Sequence, residues 1–479
     1  MTDPIIKLNP QIEKLHAVFE SQKTAFKQNM MPSYSQRIEL LDRLEQLLLN
    51  NQESIAEAVQ QDFGCHSEEL TKLVEIMPTV LRVRYAKSHL KKWMKPKSRA
   101  INRTLFGFAK NKVVPQPVGV VGNIAPWNFP FDISLGPLSD ILAAGNRVII
   151  KPSELTPACS ALLEKLVDET FEPEFVAVIS GGLDVSEAFS DLPWDHLIFT
   201  GGPEIGKKVM RSASKNLVPV TLELGGKCPT IIADDNLNAR TVSNIISTKL
   251  VKSGQMCIAP DYVFVPKNQL QEFISLTQDS MKKMFPTFAK NTDYTSIINQ
   301  RHYERLCGYI DDAKQQGAEV IELNHANETA EAGSRKLPLT LVINPSDELK
   351  VMKNEIFGPI LPVKTYENLQ EVIDYVNDRP RPLALYCYSR DKEVISKVTN
   401  QTISGGVCIN AAATHGLQAA LPFGGIGESG MGHHHGHDGF QTFSKLKPVF
   451  TQARFDGSSL LHPPYGKTIN RFLKHILGK

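Results

Sequence analysis

The chain has 479 residues, 42% hydrophobic and 22% charged, with a formal net charge of +2 from 53 basic and 51 acidic residues. That length exceeds what one hydrophobic core usually serves, so two or three domains are expected, and none needs a disulfide or a metal for stability. Neither half is strongly basic, which excludes an electrostatic footprint for nucleic acid, and no run of about 18 apolar residues occurs, which excludes a transmembrane helix.

The opening MTDPIIKLNP lacks the apolar core of a secretory signal. The first ~100 residues have helical periodicity. Leu40, Leu41, Leu44, Leu47 and Leu48 form one stripe, and Ser33 with Gln36 makes a capping box ahead of it. A second long helix is expected from Ser67 to about Met94, ended by KPKS, and RTLFGFAKNKVVPQP (103–117) suggests short strands. From Pro117 onward, apolar β-branched runs (VGVVGNI, RVIIKP, FVAVISG, HLIFTG, TLELGG) alternate with helical segments. Strands that are apolar throughout and alternate with helices predict a parallel sheet covered on both faces. Its ligands belong at the carboxyl ends of the strands, where the glycine-rich and polar residues fall. A second alternating region spans roughly 228–420, with PTIIAD, YVFVPK, LTLVINP and PILPVKTY as its strands. Beyond 440 the composition is strand-like and irregular, and KTINRFLKHILGK suggests a solvated terminal helix. The seven cysteines (65, 159, 228, 257, 307, 387 and 408) are odd in number, widely spaced and without a CxxC pair. They fit a reducing, cytoplasmic setting better than a disulfide framework or a zinc site.

Several stretches could carry chemistry. GGPEIGKK (201–208) follows an apolar strand and opens a helix, so Gly201, Gly202 and Gly206 could bring backbone N–H groups to a phosphate. It lacks the Ser/Thr of a P-loop, where Lys208 stands, and it is not G-x-G-x-x-G. A tight turn before a helix is the plain alternative. In APWNFPF (125–131) two prolines stiffen the backbone around Trp127, Asn128 and Phe129, and the Asn128 amide could donate to a developing oxyanion. In KPSE (151–154), Lys151 and Glu154 could grip ribose hydroxyls, or simply make a surface turn. Glu223 sits inside the apolar LELGGK (222–227), where burial raises a carboxyl toward the range of a general base. Cys257, in SGQMCIAP (253–260), is either an ordinary buried thiol or, if it stands at a helix N-terminus, an activated nucleophile.

Taken together, PWNFP, KPSE, FTGG, LELGGK, GQMC, NEIFGPI (354–360) and PFGGIGESGMG (422–432) resemble the aldehyde dehydrogenase superfamily, in that family's order and over about 115–445. CIAPDY after the thiol and HPPYGK near the end resemble its class 3 branch, and within it the chain is similar to bacterial coniferyl aldehyde dehydrogenases. The resemblance implies an α/β fold with three parts. Residues 1–100 and 116–224 would form a Rossmann-type NAD(P)-binding domain and 225–420 an α/β catalytic domain. Residues 101–115 and 440–479 would form a small β oligomerisation arm of a homodimer. It also implies oxidation of an aldehyde, either aromatic such as coniferyl aldehyde or medium-chain aliphatic, to the carboxylic acid. Cys257 would attack the aldehyde carbon, Asn128 and a nearby backbone N–H would hold the oxyanion, and Glu223 would activate the water that hydrolyses the thioester. Trp127, Lys151, Glu154, Gly201, Gly202, Gly206, Glu355 and Phe357 would bind the cofactor. Glu154 favours NAD, with NADP possible. Gly202 departs from the family's commoner Ser, so one hydroxyl contact to phosphate is missing. The histidines of GHHHGHDGF (432–440) suggest a metal, but the family carries a similar run without one, so no metal is expected. A cofactor-independent thiol acyl-transferase or hydrolase is the alternative, and it leaves KPSE, FTGG and NEIFGPI unexplained.

Overall fold

In the computed structural model, which describes residues 9–454 and 462–478, the leucine stripe lies on the helix Tyr34–Asn50. Its capping box is formed: the Gln36 N–H donates to Ser33 Oγ at 3.3 Å and the Ser33 N–H to Gln36 Oε1 at 2.8 Å. The second helical region also starts as expected, with the Leu70 N–H donating to Ser67 Oγ. It is not uniform, however. Lys72–Ile76 is π-helical before the helix Met77–Trp93 resumes with a proline in its first turn. Pro78 offers no N–H and its ring crowds the carbonyl four residues earlier, so the turn ahead of it widens.

Among the described residues sixteen strands follow, in chain order. They are β1 (Lys97–Arg99), β2 (Lys110–Pro117), β3 (Val120–Ile124), β4 (Arg147–Lys151), β5 (Val176–Val178), β6 (His196–Gly201), β7 (Val220–Leu224) and β8 (Pro229–Ile232), then β9 (Tyr262–Pro266), β10 (Glu319–Glu322), β11 (Thr340–Ile343), β12 (Ile360–Tyr366), β13 (Ala384–Tyr388), β14 (Gly406–Ile409), β15 (Gly430–Met431) and β16 (Ser444–Thr451). The segment 103–117, expected as short strands, instead holds a four-residue helix, Arg103–Phe106, and the single eight-residue strand β2.

The first sheet has the order β15-β7-β6-β3-β4-β5, parallel except for β15. From β3 the chain steps outward through β4 and β5, then returns to place β6 and β7 on the other side. The strand order therefore reverses between β3 and β6, the place where such sheets bind ligands. One face is covered by the stripe of Leu40, Leu41 and Leu44 with Leu138, Leu142 and Leu163, and the other by Leu15, Phe19, Val185 and Val209. Burial on both faces explains why these strands read as continuous apolar runs.

The second sheet has the order β10-β11-β12-β9-β8-β13-β14, parallel except for β10. The third is antiparallel, β1-β2-β16, with eight paired residues between β2 and β16. The terminal helix Lys467–Leu477 buries only Ile469, while residues 455–461 of the expected C-terminal arm lie outside the described residues.

Candidate active site

The ends of β3, β4, β6 and β7 deliver four of the sequence-predicted stretches to one rim. β3 runs into Ala125 and the loop bearing Trp127 and Asn128, and β4 ends at Lys151. β6 ends at Gly201, and β7 carries Glu223 one residue before its end. The second sheet supplies the turn bearing Cys257, just before β9, and the segment 354–358, just before β12.

Two cavities meet at this rim. One, of about 300 Å³, is mostly apolar and is lined by Phe129, Met256, Ile258, Leu383 and Phe423 among others. The second, of about 410 Å³, is lined by Trp127, Asn128, Gly201, Gly202, Glu355 and Phe357 among others. Thr200, Glu223, Leu224 and Cys257 line both, so the thiol and the buried carboxylate stand on the wall between them.

Cys257 does not stand at a helix N-terminus. It lies in a turn that follows the 3₁₀ segment Val251–Gly254, so no helix dipole acts on it. Burial, with Glu355 and then Glu223 nearby, pushes its thiol up to about 12. Its own N–H and that of Ile258 face the sulfur and pull the other way, because they favour the thiolate.

Glu223 is 3% exposed, and neither carboxylate oxygen has a hydrogen-bond partner. Burial alone holds its carboxyl well above the ordinary value. Beside it on β15, Gly430 has φ +144°, and a Cβ there would lie 2.1 Å from the Leu222 carbonyl oxygen. His434 Nε2 is 3.9 Å from Glu223 Oε1, and burial depresses the His434 imidazole to about 3, so it is neutral.

Asn128 is buried, and its Nδ2 donates one N–H to the Gln255 carbonyl at 3.2 Å. Phe357 has φ +51° and meets Trp127 edge-on, with ring centroids 5.4 Å apart. Glu355 accepts the Gly226 N–H, and burial and Asp261 push its carboxyl up to about 8. A Cβ on Gly225 would lie 2.1 Å from Glu355 Oε2, so glycine is needed there for the carboxylate to approach. Lys227 fixes this corner by bonding Asp261 and the carbonyls of Val351 and Asn354, while Asp261 accepts the Ile356 N–H at 2.9 Å.

The nucleotide candidates divide. Lys151 is buried, donates to the Pro152 carbonyl at 2.7 Å and lies 3.7 Å from Glu154, whose side chain is 55% exposed. Gly202 is the N-cap of the twelve-residue helix Pro203–Ser214, which has no side-chain cap; Pro203 brings no N–H, and the N–H groups of Ile205 and Gly206 donate to the Gly202 carbonyl. Gly201 and Gly202 both line that cavity, and a Cβ on Gly202 would meet nothing within 4 Å. Gly206 does not share their role. It lies inside the helix, and a Cβ there would come within 2.7 Å of Leu224 Cδ2, so it serves helix–strand packing rather than phosphate approach. An uncapped helix start, an open glycine cradle and Lys151 at a strand end together fit the pyrophosphate and ribose of a dinucleotide.

The histidine run does not converge. His434 and His435 line the apolar cavity, whereas His437 bonds Gln441 and lies 3.0 Å from Lys97. Among the described residues no three His, Cys, Asp or Glu side chains are grouped to hold a metal.

Three polar residues that were given no role above also shape the site. Gln255 donates to the carbonyls of Lys252 and Ser296 and accepts the Ile298 N–H. Lys252 and Glu75 form a buried ion pair behind the Asn128 loop. Glu75 is far from the other two in sequence, so only the fold brings it there.

Comparison with known proteins agrees with this geometry. The model of the aldehyde dehydrogenase family matches residues 9–449. A "probable coniferyl aldehyde dehydrogenase" of Pseudomonas aeruginosa is 48% identical over 463 residues, 97% of this chain and 96% of that protein. The coniferyl aldehyde dehydrogenase of a Pseudomonas species is 43% identical, over 97% and 96% of the two chains. Among solved structures, the substrate-bound state of Staphylococcus aureus AldH has a TM-score of 0.89 at 33% identity, covering 96% of this chain and 99% of that one. The NAD⁺ complex of a Bacillus cereus aldehyde dehydrogenase has a TM-score of 0.82 at 27% identity, covering 93% and 90%. The chain belongs to the aldehyde dehydrogenase family.

Proposed function

We propose that this aldehyde dehydrogenase oxidises an aromatic aldehyde of the coniferyl type, with NAD as the preferred cofactor and NADP as the second choice. The observation that carries the reading is the shared wall: Cys257 and Glu223 line both the apolar cavity and the one edged by Gly201, Gly202 and Glu355. An aldehyde in the first and a nicotinamide in the second would meet at the thiol. The names of the two coniferyl aldehyde dehydrogenases given above and the apolar, partly aromatic lining support the aromatic substrate.

Cys257 loses its thiol proton to solvent as its sulfur bonds to the aldehyde carbon, and the free N–H of Asn128 with the backbone N–H groups at 257 and 258 stabilises the oxyanion. A bound nicotinamide would supply the acceptor for the hydride that leaves the tetrahedral carbon as the oxyanion collapses to the thioester of Cys257. Trp127 and Phe357 would pack beside that ring, Glu355 would hold the adjoining ribose, and Gly201 and Gly202 would admit the pyrophosphate. Lys151 and Glu154 would take the second ribose, where the Glu154 carboxylate would accept hydroxyl hydrogen bonds and repel a 2′-phosphate. Glu223 then removes a proton from water. The water oxygen bonds to the thioester carbon, the C–S bond breaks, and the acid leaves as the Cys257 thiolate takes up the proton that Glu223 removed. A cofactor-independent thiol hydrolase would leave the second cavity without a use.

The exposed Phe106, Phe108, Leu446 and Phe450 on and beside the third sheet support a homodimer through that arm. Seven free thiols support a cytoplasmic setting. Among the described residues no helix is long and apolar enough to cross a membrane.

The test is steady-state reduction of NAD and NADP with coniferyl aldehyde and with medium-chain aliphatic aldehydes. The reading expects aldehyde-dependent NADH formation, fastest with the aromatic substrate and abolished by Cys257→Ala. Faster turnover of the aliphatic series would overturn the substrate assignment, and unchanged turnover in Cys257→Ala would overturn the nucleophile.

A further inference from the structure

Lys252 and Glu75 are both fully buried, and each meets groups that matter to the site. The Lys252 ammonium bonds Glu75 Oε1, donates to the Asn128 carbonyl oxygen at 2.7 Å, and faces the rings of Phe129 and Phe63 at 4.5 and 4.8 Å. Glu75 Oε2 accepts the N–H groups of Phe131 and Asp132 at 3.0 and 2.9 Å. The loop that carries Asn128 is thus held at its start by the ammonium and at its end by the carboxylate.

The same turn holds Asn128 a second time. Three residues after Lys252, the Gln255 carbonyl accepts the Asn128 side-chain N–H, and Cys257 follows two residues later. Gln255 Nε2 closes the turn on the Lys252 carbonyl at 2.9 Å. Asn128 is therefore fixed through its main chain and its side chain to one short stretch that ends in the thiol. That stretch is strained: Lys252, Ser253 and Gly254 have φ of +48°, +52° and +81°, a left-handed run that non-glycine residues rarely adopt. The partner side is unusual too. Glu75 comes from the π-helical turn Lys72–Ile76, whose Val74, with Pro78 beyond it, lines the apolar cavity.

A buried ion pair is weak as a source of stability, because desolvation offsets most of the attraction and well-packed apolar residues often do as well. Burial already pushes the Glu75 carboxyl up against the pull of Lys252. What apolar residues could not reproduce is the directed bonding to the carbonyl of 128 and the amides of 131 and 132. We propose that Lys252 and Glu75 are positioning residues of the proposed reaction, a brace that sets the Asn128 amide at a fixed place relative to the Cys257 sulfur. The inference rests on the oxyanion role given to Asn128 above.

The test uses the full-length protein and replaces the pair as a unit, since either single change strands a buried charge. The variant Lys252→Met/Glu75→Leu removes the brace and keeps an apolar filling. Lys252→Gln/Glu75→Gln removes the charges but keeps donors and acceptors in place. The readouts are the thermal unfolding midpoint, the KM for NAD and the rate of the first turnover. The brace predicts that the apolar pair unfolds near the parent and keeps its KM for NAD, but loses about 10- to 100-fold in the first turnover, as supporting-shell changes do. The Gln/Gln pair should recover most of that loss. In an Asn128→Ala background the apolar pair should cost little more, because the brace acts through Asn128. Where the apolar pair does not fold, the Gln/Gln pair decides: a rate near the parent supports the brace and a loss as large as that of Asn128→Ala overturns it. A folded apolar pair with the parent's rate, or an equal additional loss in the Asn128→Ala background, would overturn the proposal. Failure of the parent to reduce NAD with any aldehyde would instead overturn the function on which it rests.

Discussion

Asn128→Ala is the perturbation whose size the geometry fixes best. The Asn128 amide has two N–H groups, and one is committed to the Gln255 carbonyl at 3.2 Å. The other is left for the cavity that Asn128 lines beside Cys257. Removing one oxyanion donor from a water-excluded site costs about 3 kcal/mol of transition-state stabilisation, or roughly 160-fold in rate. The cost to the fold is smaller: one neutral hydrogen bond is lost and the Gln255 carbonyl stands unpaired, about 1–2 kcal/mol. The variant should therefore fold and bind NAD as the parent does and fail mainly in chemistry. Stopped-flow measurement of the first turnover, with saturating NAD and aldehyde, reads that loss directly. A first turnover within about threefold of the parent would refute the reasoning and leave the backbone N–H groups at 257 and 258 as sufficient donors.

Other consequences follow from single contacts. Gly206→Ala drives a Cβ to 2.7 Å from Leu224 Cδ2, so urea unfolding should show a loss of about 1–3 kcal/mol while the KM for NAD stays put. A raised KM for NAD without a loss of stability would return Gly206 to the phosphate site. Glu154→Gln removes the carboxylate proposed to repel a 2′-phosphate, so the ratio of kcat/KM for NADP over NAD should rise at least severalfold, and an unchanged ratio would remove Glu154 from the ribose site. The Cys257 thiol, pushed up to about 12, is protonated at neutral pH. Its alkylation by iodoacetamide in the cofactor-free protein should keep accelerating through pH 9.0, the ordinary thiol value, and a plateau at or below that pH would mean the thiolate is stabilised.

Much of the site is legible in the sequence because a parallel sheet delivers its loops to one edge. Once VGVVGNI, RVIIKP, HLIFTG and TLELGG are taken as neighbouring parallel strands, the residues after them must gather, and they do. The burial of Glu223 is legible for the same reason, since it stands inside an apolar strand. Cys257 is harder. A cysteine after Gly-Gln suggests a helix start, but three left-handed residues turn the chain first, and no composition signal announces a lysine and a serine in that conformation. Gly206 misleads because a glycine near a phosphate loop and a glycine under a strand are the same letter. Glu75 is invisible in sequence, since it lies on a helix of ordinary pattern and is turned inward by the widening ahead of Pro78.

The central claim is that Glu223 resolves a thioester formed on Cys257. It is tested most directly by mixing Glu223→Gln with NAD and coniferyl aldehyde and weighing the protein and its peptides. The account predicts a burst of about one NADH per site, little turnover after it, and the acyl mass on the peptide that carries Cys257. Sustained turnover at the parent's rate, or the acyl group on Cys228 or Cys408 instead, would contradict it.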